Sequence, residues 1–432
     1  MAHHGHHHEI VPPKRLELPR QFMTAAGVLA VLGAVLFAIT LLAVDADVAW
    51  KGYLIGFWFT MGLGLFGPFF ASIQHLPRSG WSVSLRRIVE SFGWYIPVAG
   101  VLALVAVFMI PDSIYLWKQP NAANDPFLVK KLGFLNQTGF IIATVATFGG
   151  LSAIFYAMRT FSLKQDEEGG YELSNKLKMT SAVYLIVFTI GLSFLAWYFL
   201  MSLEPNWFST MFSVYTFAGL FQSGLALTYV LMIYLGRKNY FGSFVGGRQV
   251  HDLGKMVFGF TVFYAYIAFC QFLLIWYANI PEEDVWYLQR MQNGWMTFTL
   301  VLPFIKFIVP FFIMLPQKIK KNKSNIMYYL SMWLVATQLF EIWYWVEPKP
   351  HGINTGGAHA AHDAAHHIGP SLLNAGLEFG IAFGFIGLFA LVAGKALAGQ
   401  NLIPVKDPYL HETLPEFTHE EPLMDGLYDQ SL

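Results

Sequence analysis

The chain holds a single cysteine, Cys270, with no second thiol to pair with. A disulfide framework, a Cys-ligated iron–sulfur cluster and a CxxCH haem attachment are therefore excluded for this chain alone. Charge is also scarce: 12% of residues are Asp, Glu, Lys or Arg, against about 25% in an ordinary soluble domain. The charges cancel to a net of zero, so bulk electrostatics offers nothing to a nucleic acid. No histidine lies in the middle of a hydrophobic run, where cytochrome b and haem–copper oxidases need their haem ligands. Long polar stretches are missing too. Most connections between apolar runs are under about twenty residues, whereas a soluble domain needs at least about fifty, so extramembrane redox chemistry would have to come from another polypeptide.

What fills the chain is apolar. It is 55% hydrophobic and 17% aromatic, the composition of a polytopic membrane protein. Ten runs are long enough to cross the hydrocarbon core: residues 22–43, 50–74, 84–110, 132–158, 179–202, 211–235, 256–279, 294–315, 326–346 and 371–397. The first is too long for a cleaved signal peptide, and no small-residue cleavage site follows it before Asp45 and Asp47. The pattern predicts an all-α integral membrane protein of ten transmembrane helices. A His-rich tail (1–21) would precede the membrane domain (22–397), and a second tail (398–432) would follow it. Of the 27 Lys and Arg, 20 fall on the side of the termini and the even-numbered connections, and six on the other: Lys51, Lys118, Lys130, Lys131, Arg290 and Lys349. The positive-inside rule then puts both termini in the cytoplasm.

The longer connections are residues 111–131, 161–178 and 347–370, the last with His351, His359, His362, His366 and His367. The N-terminal His3, His4, His6, His7 and His8 have no fixed geometry, and no metal site is assigned to them. The final tail mixes proline with Glu412, Glu416, Glu420, Glu421, Asp425 and Asp429, a composition suited to lying along partners. Gly62, Gly64 and Gly67 lie inside a run, where they permit close helix contact rather than cradle a phosphate.

Polar residues inside the runs carry whatever chemistry the chain has. Lys306 stands nine residues before Leu315, roughly 14 Å from that end of its run and too far to snorkel comfortably. A lysine there costs about 2.5–3.5 kcal/mol on insertion scales. Pro303 and Pro310 flank it, each freeing a carbonyl that could accept from its ammonium. It either exchanges protons during turnover or is fixed to a carboxylate or carbonyls as structural glue. Glu378 shares a helical face with Asn374 and Ser371, and Glu341 has Gln338 one turn before it and Trp345 one turn after. These carboxylates, with Asp112, Glu204 and Glu347 near the same surface, could relay protons, although Glu341 could instead sit at headgroup level. Toward the other surface stand His75, Glu90, His251 and Asp252, and Asp252 could equally be the N-cap of its helix. These groups suggest an inner half-channel of His75, Glu90, Asp252 and Lys306, and an outer one of Gln338, Glu341, Glu378 and Asp112. Tyr264, Tyr266 and Gln271 need hydrogen-bond partners that lipid cannot supply, so their run (258–279) should lie against other helices.

Three stretches are idiosyncratic enough to suggest kinship: HDLGKMVFGFTVFYAYIAFCQFLLIWYANIPEED, FFASIQHLPRSGWSVSLRRIVE and LVLPFIKFIVPFFIMLPQKIKKNK. Together with the ten runs they resemble the second large membrane subunits (ActF) of bacterial Alternative Complex III, a family similar to the NrfD and PsrC membrane subunits of iron–sulfur oxidoreductases. The resemblance covers residues 16–399. It implies two four-helix units with one extra helix at each end, in the bacterial cytoplasmic membrane. It also implies a respiratory quinol-oxidising assembly: an iron–sulfur subunit, c-type cytochrome subunits, a paralogous quinol-binding membrane subunit, small membrane subunits, and a terminal oxidase as a further partner. Haem c and iron–sulfur clusters would then reside in those partners, none in this chain, and quinol would be the substrate of the complex. The chain would scaffold the membrane arm and conduct protons. One alternative is that it hosts a quinol site itself, which asks for a His with a carboxylate in the outer half of a run, and no histidine is there. Another is a stand-alone secondary transporter, for which ten runs and an intramembrane lysine would also serve.

Overall fold

The computed structural model describes residues 13–292, 294–321, 325–348 and 370–413. His3, His4, His6, His7 and His8, the loop histidines His351, His359, His362, His366 and His367, and Glu416, Glu420, Glu421, Asp425 and Asp429 lie outside the described residues. The described chain is all-helical: α1 (Arg20–Ile39), α2 (Ala46–His75), α3 (Arg86–Phe92), α4 (Tyr95–Met109), α5 (Gln137–Glu168), α6 (Tyr171–Phe199), α7 (Phe212–Arg237), α8 (Gly247–Ala278), α9 (Pro281–Gln289), α10 (Trp295–Pro303), α11 (Val309–Met314), α12 (Gln317–Lys321), α13 (Asn325–Val346) and α14 (Leu372–Leu397). Among the described residues nine helical segments are long and apolar enough to cross a membrane. They follow the expected runs except at α13, a 22-residue helix whose Ser331, Thr337, Gln338, Glu341 and tyrosines dilute its hydropathy.

Local chemistry sets the helix ends. Asp45 caps α2 by accepting from the Asp47 N–H at 2.8 Å, and Asn136 caps α5 by accepting from Gly139 at 2.7 Å. α8 ends on Asn279 in the left-handed region (φ 48°), and Pro281 then starts α9. The third expected run breaks at Gly93, between α3 and α4, because Pro97 has no N–H to give the Gly93 carbonyl.

Two expectations about helix length need correcting. Residues 161–178 are not a loop: α5 and α6 run on to a turn at Gly169 and Gly170 (φ 68° and 88°). The uncharged run was only the lipid-facing part of a longer helix. Asp252 is not a cap either, since α8 begins at Gly247. There the Gln249 side chain accepts from the Gly246 N–H at 2.8 Å, and Asp252 sits in the second turn, ion-paired with Lys255 at 2.6 Å.

α2 is the buried hub and packs against α3, α4, α6, α7, α13 and α14. α1 docks chiefly on α14, at a crossing where Gly33 meets Gly384 backbone to backbone. The connections gather at two ends. At one, Lys51 pairs with Glu347 at 2.8 Å, Lys131 donates to the Pro205 carbonyl at 2.7 Å and Trp207 to the Glu283 carbonyl at 2.9 Å. At the other, Lys14 N–H donates to the Tyr240 carbonyl at 3.1 Å and Arg86 pairs with Asp407 at 2.5 Å. The second end carries most of the Lys and Arg and is called the basic end below.

Candidate functional site

The segment that carries Lys306 is not a continuous α-helix. Between α10 and α11 the chain makes a π turn, Phe304–Ile308, flanked by Pro303 and Pro310. The five-residue spacing re-aims the side chains there. Lys306 points inward and is completely buried, while Phe304 and Val309 beside it face outward. The carbonyls that the prolines were expected to offer do not receive the ammonium. Its Nζ donates to Gln338 Oε1 at 2.5 Å and forms an ion pair with Glu341, both on α13, and it lies over the Tyr264 ring at 4.0 Å.

Glu341 is the centre of this cluster. Its Oε1 accepts from Tyr215 of α7 at 2.6 Å and from Tyr264 of α8, while Oε2 takes the ammonium. Four elements thus converge on one carboxylate: α7, α8, the π turn and α13. Glu341 is fully buried inside the bundle. Gly219 lets α7 come this close. A Cβ there would stand 2.6 Å from Gln338 Oε1 and 3.1 Å from Glu341 Oε2.

Toward the basic end the polar character continues. Gln222 Nε2 donates to Thr261 Oγ1 at 3.0 Å. Gln338 Nε2, Gln222 Oε1 and Ser331 Oγ are buried with no partner within the described chain. Buried polar atoms of this type are the ones ordered water satisfies. α7, α8 and α13 place these groups on the basic side of Glu341.

The other expected site residues do not join this cluster. Glu378 is fully buried, but it accepts from Trp343 Nε1 at 2.8 Å and neighbours Glu347 and Lys51, on another side of α13. The outer group expected from sequence is therefore split: Gln338 and Glu341 meet Lys306 directly, Glu378 forms a second cluster, and Asp112 is exposed. The inner group is dispersed as well. Glu90 binds Arg159 at 2.5 Å and Ser162 at 2.7 Å, while Arg87 lies 3.4 Å from Glu90 and 2.6 Å from Asp166. Two guanidinium groups and two carboxylates balance there and clamp α3 to α5. His75 Nδ1 lies 3.0 Å from Ser181 Oγ. His251 and Asp252 are half-buried near the start of α8.

Of the polar residues of α8, Tyr264 is bonded in the cluster and Gln271 is buried, whereas Tyr266 is 61% exposed and faces outward against expectation. Nothing in the sequence marked Tyr215 or Gly219, which matter only because α7 packs on α13. Among the described residues no three His, Cys, Asp or Glu side chains gather as metal ligands. A cleft of about 410 Å³ between α5 and α6, lined by Ile142, Ala146, Ile190 and Phe194, has only Thr147 and Tyr198 as polar side chains. It offers no histidine or carboxylate to a quinone head group.

Comparison with protein-family models and with curated proteins finds no match for this chain.

Proposed function

We propose that this chain is a cofactor-free membrane subunit of a bacterial respiratory quinol:cytochrome c or quinol:oxidase complex of the Alternative Complex III type, and that Lys306 and Glu341 are its proton-exchanging pair. The observation that carries the second part is a buried ion pair with two tyrosine donors, held at a π turn inside an apolar bundle. An ion pair kept purely for stability gains little over apolar packing. A charge pair at membrane depth is by default a functional group.

The first part rests on the sequence resemblance. In this reading α13 is a tenth crossing, and both termini are cytoplasmic in a multi-pass protein of the bacterial inner membrane. α2, α3–α4, α5 and α6 make one four-helix unit, and α7, α8, α10–α11 and α13 make the other, with α1 and α14 added. The packing of α5 on α4 and α6, and of α7 on α8 and α13, supports that grouping. Electrons stay in the partner subunits, and Lys306 and Glu341 respond to quinol oxidation next door.

A stand-alone secondary transporter is the second reading, favoured by the helix interruption at Lys306, since transporters place their sites at broken helices. One experiment separates the two. The chain is extracted from native membranes in mild detergent, and the co-purifying proteins are stained for covalent haem and examined for iron–sulfur EPR signals. Haem c and cluster signals in fixed ratio to the chain are expected. A chain that comes away alone and colourless would give the transporter reading the lead.

A further inference from the structure

Between the Lys306 site and the end of the molecule opposite the basic end stands a second buried cation. Arg290, just after α9, is only 2% exposed. Its guanidinium lies 3.6 Å from the centre of the Trp286 ring and donates to the carbonyls of Trp286 (2.9 Å), Trp345 (2.8 Å) and Tyr344 (3.3 Å). Among the described residues it makes no ion pair, although the Glu204 carboxylate is near enough to feel its charge. Glu204 is itself buried and accepts from Gln289 Nε2 at 2.6 Å.

The position matters more than the bonds. Trp345 is one turn beyond Glu341 on α13, about 6 Å along the axis, and its ring packs on Tyr215 at 5.1 Å. Tyr344 closes the neighbouring space, its hydroxyl 2.8 Å from Thr299 Oγ1. A proton leaving Glu341 away from the basic end would meet this aromatic layer and then the guanidinium. Buried polar atoms without a partner among the described residues lie on both sides, Gln338 Nε2 and Ser331 Oγ toward the basic end and Ser213 Oγ, Gln271 Nε2 and Trp345 Nε1 away from it, so what sets the second direction apart is the guanidinium. Capping the last carbonyls of α13 would explain the Trp345 and Tyr344 bonds. A cap does not require near-complete burial, nor stacking on a buried Trp286 ring.

We propose that Arg290 is an electrostatic plug, closing the Lys306–Glu341 site to the end opposite the basic end. Its fixed positive charge opposes an excess proton, as positive groups lining a pore exclude protons and cations. The pair then exchanges protons with the basic end only. This inference rests on the reading of Lys306 and Glu341 as proton-exchanging groups.

The test uses the full chain reconstituted in liposomes, with a potassium diffusion potential set by valinomycin and an internal pH dye. The wild-type chain is expected to be tight. Arg290→Gln should raise passive proton flux at least tenfold, Arg290→Lys should remain tight, and adding Lys306→Met to Arg290→Gln should return the flux to the wild-type level. An Arg290→Gln chain as tight as wild type overturns the plug and leaves the Lys306 reading standing. A leak that persists after Lys306→Met shows a route that bypasses the site, and it overturns both. If Arg290→Gln does not fold, Arg290→His takes its place: its imidazole loses its charge as pH rises, so its flux relative to wild type at the same pH should rise at least threefold between about pH 5 and pH 8, and no rise rejects the plug.

Discussion

Replacing Lys306 by Met leaves Glu341 fully buried with two tyrosine hydroxyls and no cation. Replacing Glu341 by Gln leaves an unpaired ammonium in the same space. Removing one partner of a buried ion pair costs about 3–5 kcal/mol, whereas removing both charges together is often close to neutral. The double variant Lys306→Met with Glu341→Gln also keeps acceptors for Tyr215 and Tyr264, because the new amide oxygen stands where Oε1 stood. Each single variant should therefore lose about 3 kcal/mol and the double less than about 2, giving a coupling of at least about 4 kcal/mol. That is above the usual 0.5–3 kcal/mol for neighbouring residues, because both charges are fully desolvated. Equilibrium unfolding in mixed micelles reads this directly, with the 13 tryptophans as reporter. Additive losses, with the double variant about 6 kcal/mol below wild type, would refute the ion pair as the organising contact of the site.

Gly219→Ala should cost about 1–3 kcal/mol in the same assay, the range for overpacking, because Gln338 must swing away from Lys306. Gly384→Ala should cost a similar amount and loosen α1 from α14, read as faster amide exchange in α1, since the new methyl would meet Gly33 backbone that no rotamer change can move. Asp407→Asn leaves Arg86 without its carboxylate and should speed tryptic cleavage at Lys406 at least tenfold, which corresponds to about 1.4 kcal/mol of lost docking. Lys118, in the connection after α4, donates to the Val107 and Ile110 carbonyls, and burial pushes its ammonium down from 10.5 to about 8 against the opposing pull of Asp112. The unfolded loop keeps that proton up to about pH 10.5 and the folded loop only to about 8. Local stability should therefore rise as pH is raised through this window. Amide exchange over residues 111–131, corrected for the intrinsic rate, should show the rise, and Lys118→Met should abolish it.

Helix positions were legible from hydropathy because that signal is local. Helix ends were not, since charged turns beyond the membrane, as in α5 and α6, extend a helix without an apolar signature. Lys306 stood out as the one cation more than three residues from either end of a run, and Gln338 and Glu341 as polar neighbours one turn apart on another run. Their meeting was hidden. Sequence spacing treats α10 and α11 as one helix, whereas the π turn re-aims Lys306, and its direction settles which carboxylate it finds. Depth misled the grouping of Glu378 with Glu341. The two occupy similar levels, but Trp343 holds Glu378 on a different side of α13.

The uneven burial of the bundle bears on how a charge change at the site would be felt. α2 is enclosed nearly throughout, while the segment Trp295–Met314 has only 17% of its most apolar stretch buried. Beyond Lys306, its polar fastenings among the described residues include Trp333 Nε1 donating to the Ile305 carbonyl at 2.7 Å and Thr299 donating to the Arg290 carbonyl at 2.6 Å. A segment with little packing and a π turn between two prolines is cheap to displace. If Lys306 gives up its proton, the strongest attraction holding the π turn to α13 is lost, while α13 stays fixed against α7 and α2. The segment that moves is then the one carrying the lysine. A spin-label pair spanning Phe304 and Met332, both outward-facing, should lengthen in Lys306→Met and stay unchanged in Gly384→Ala. An equal change in both would mean that the π turn is no looser than the rest of the bundle.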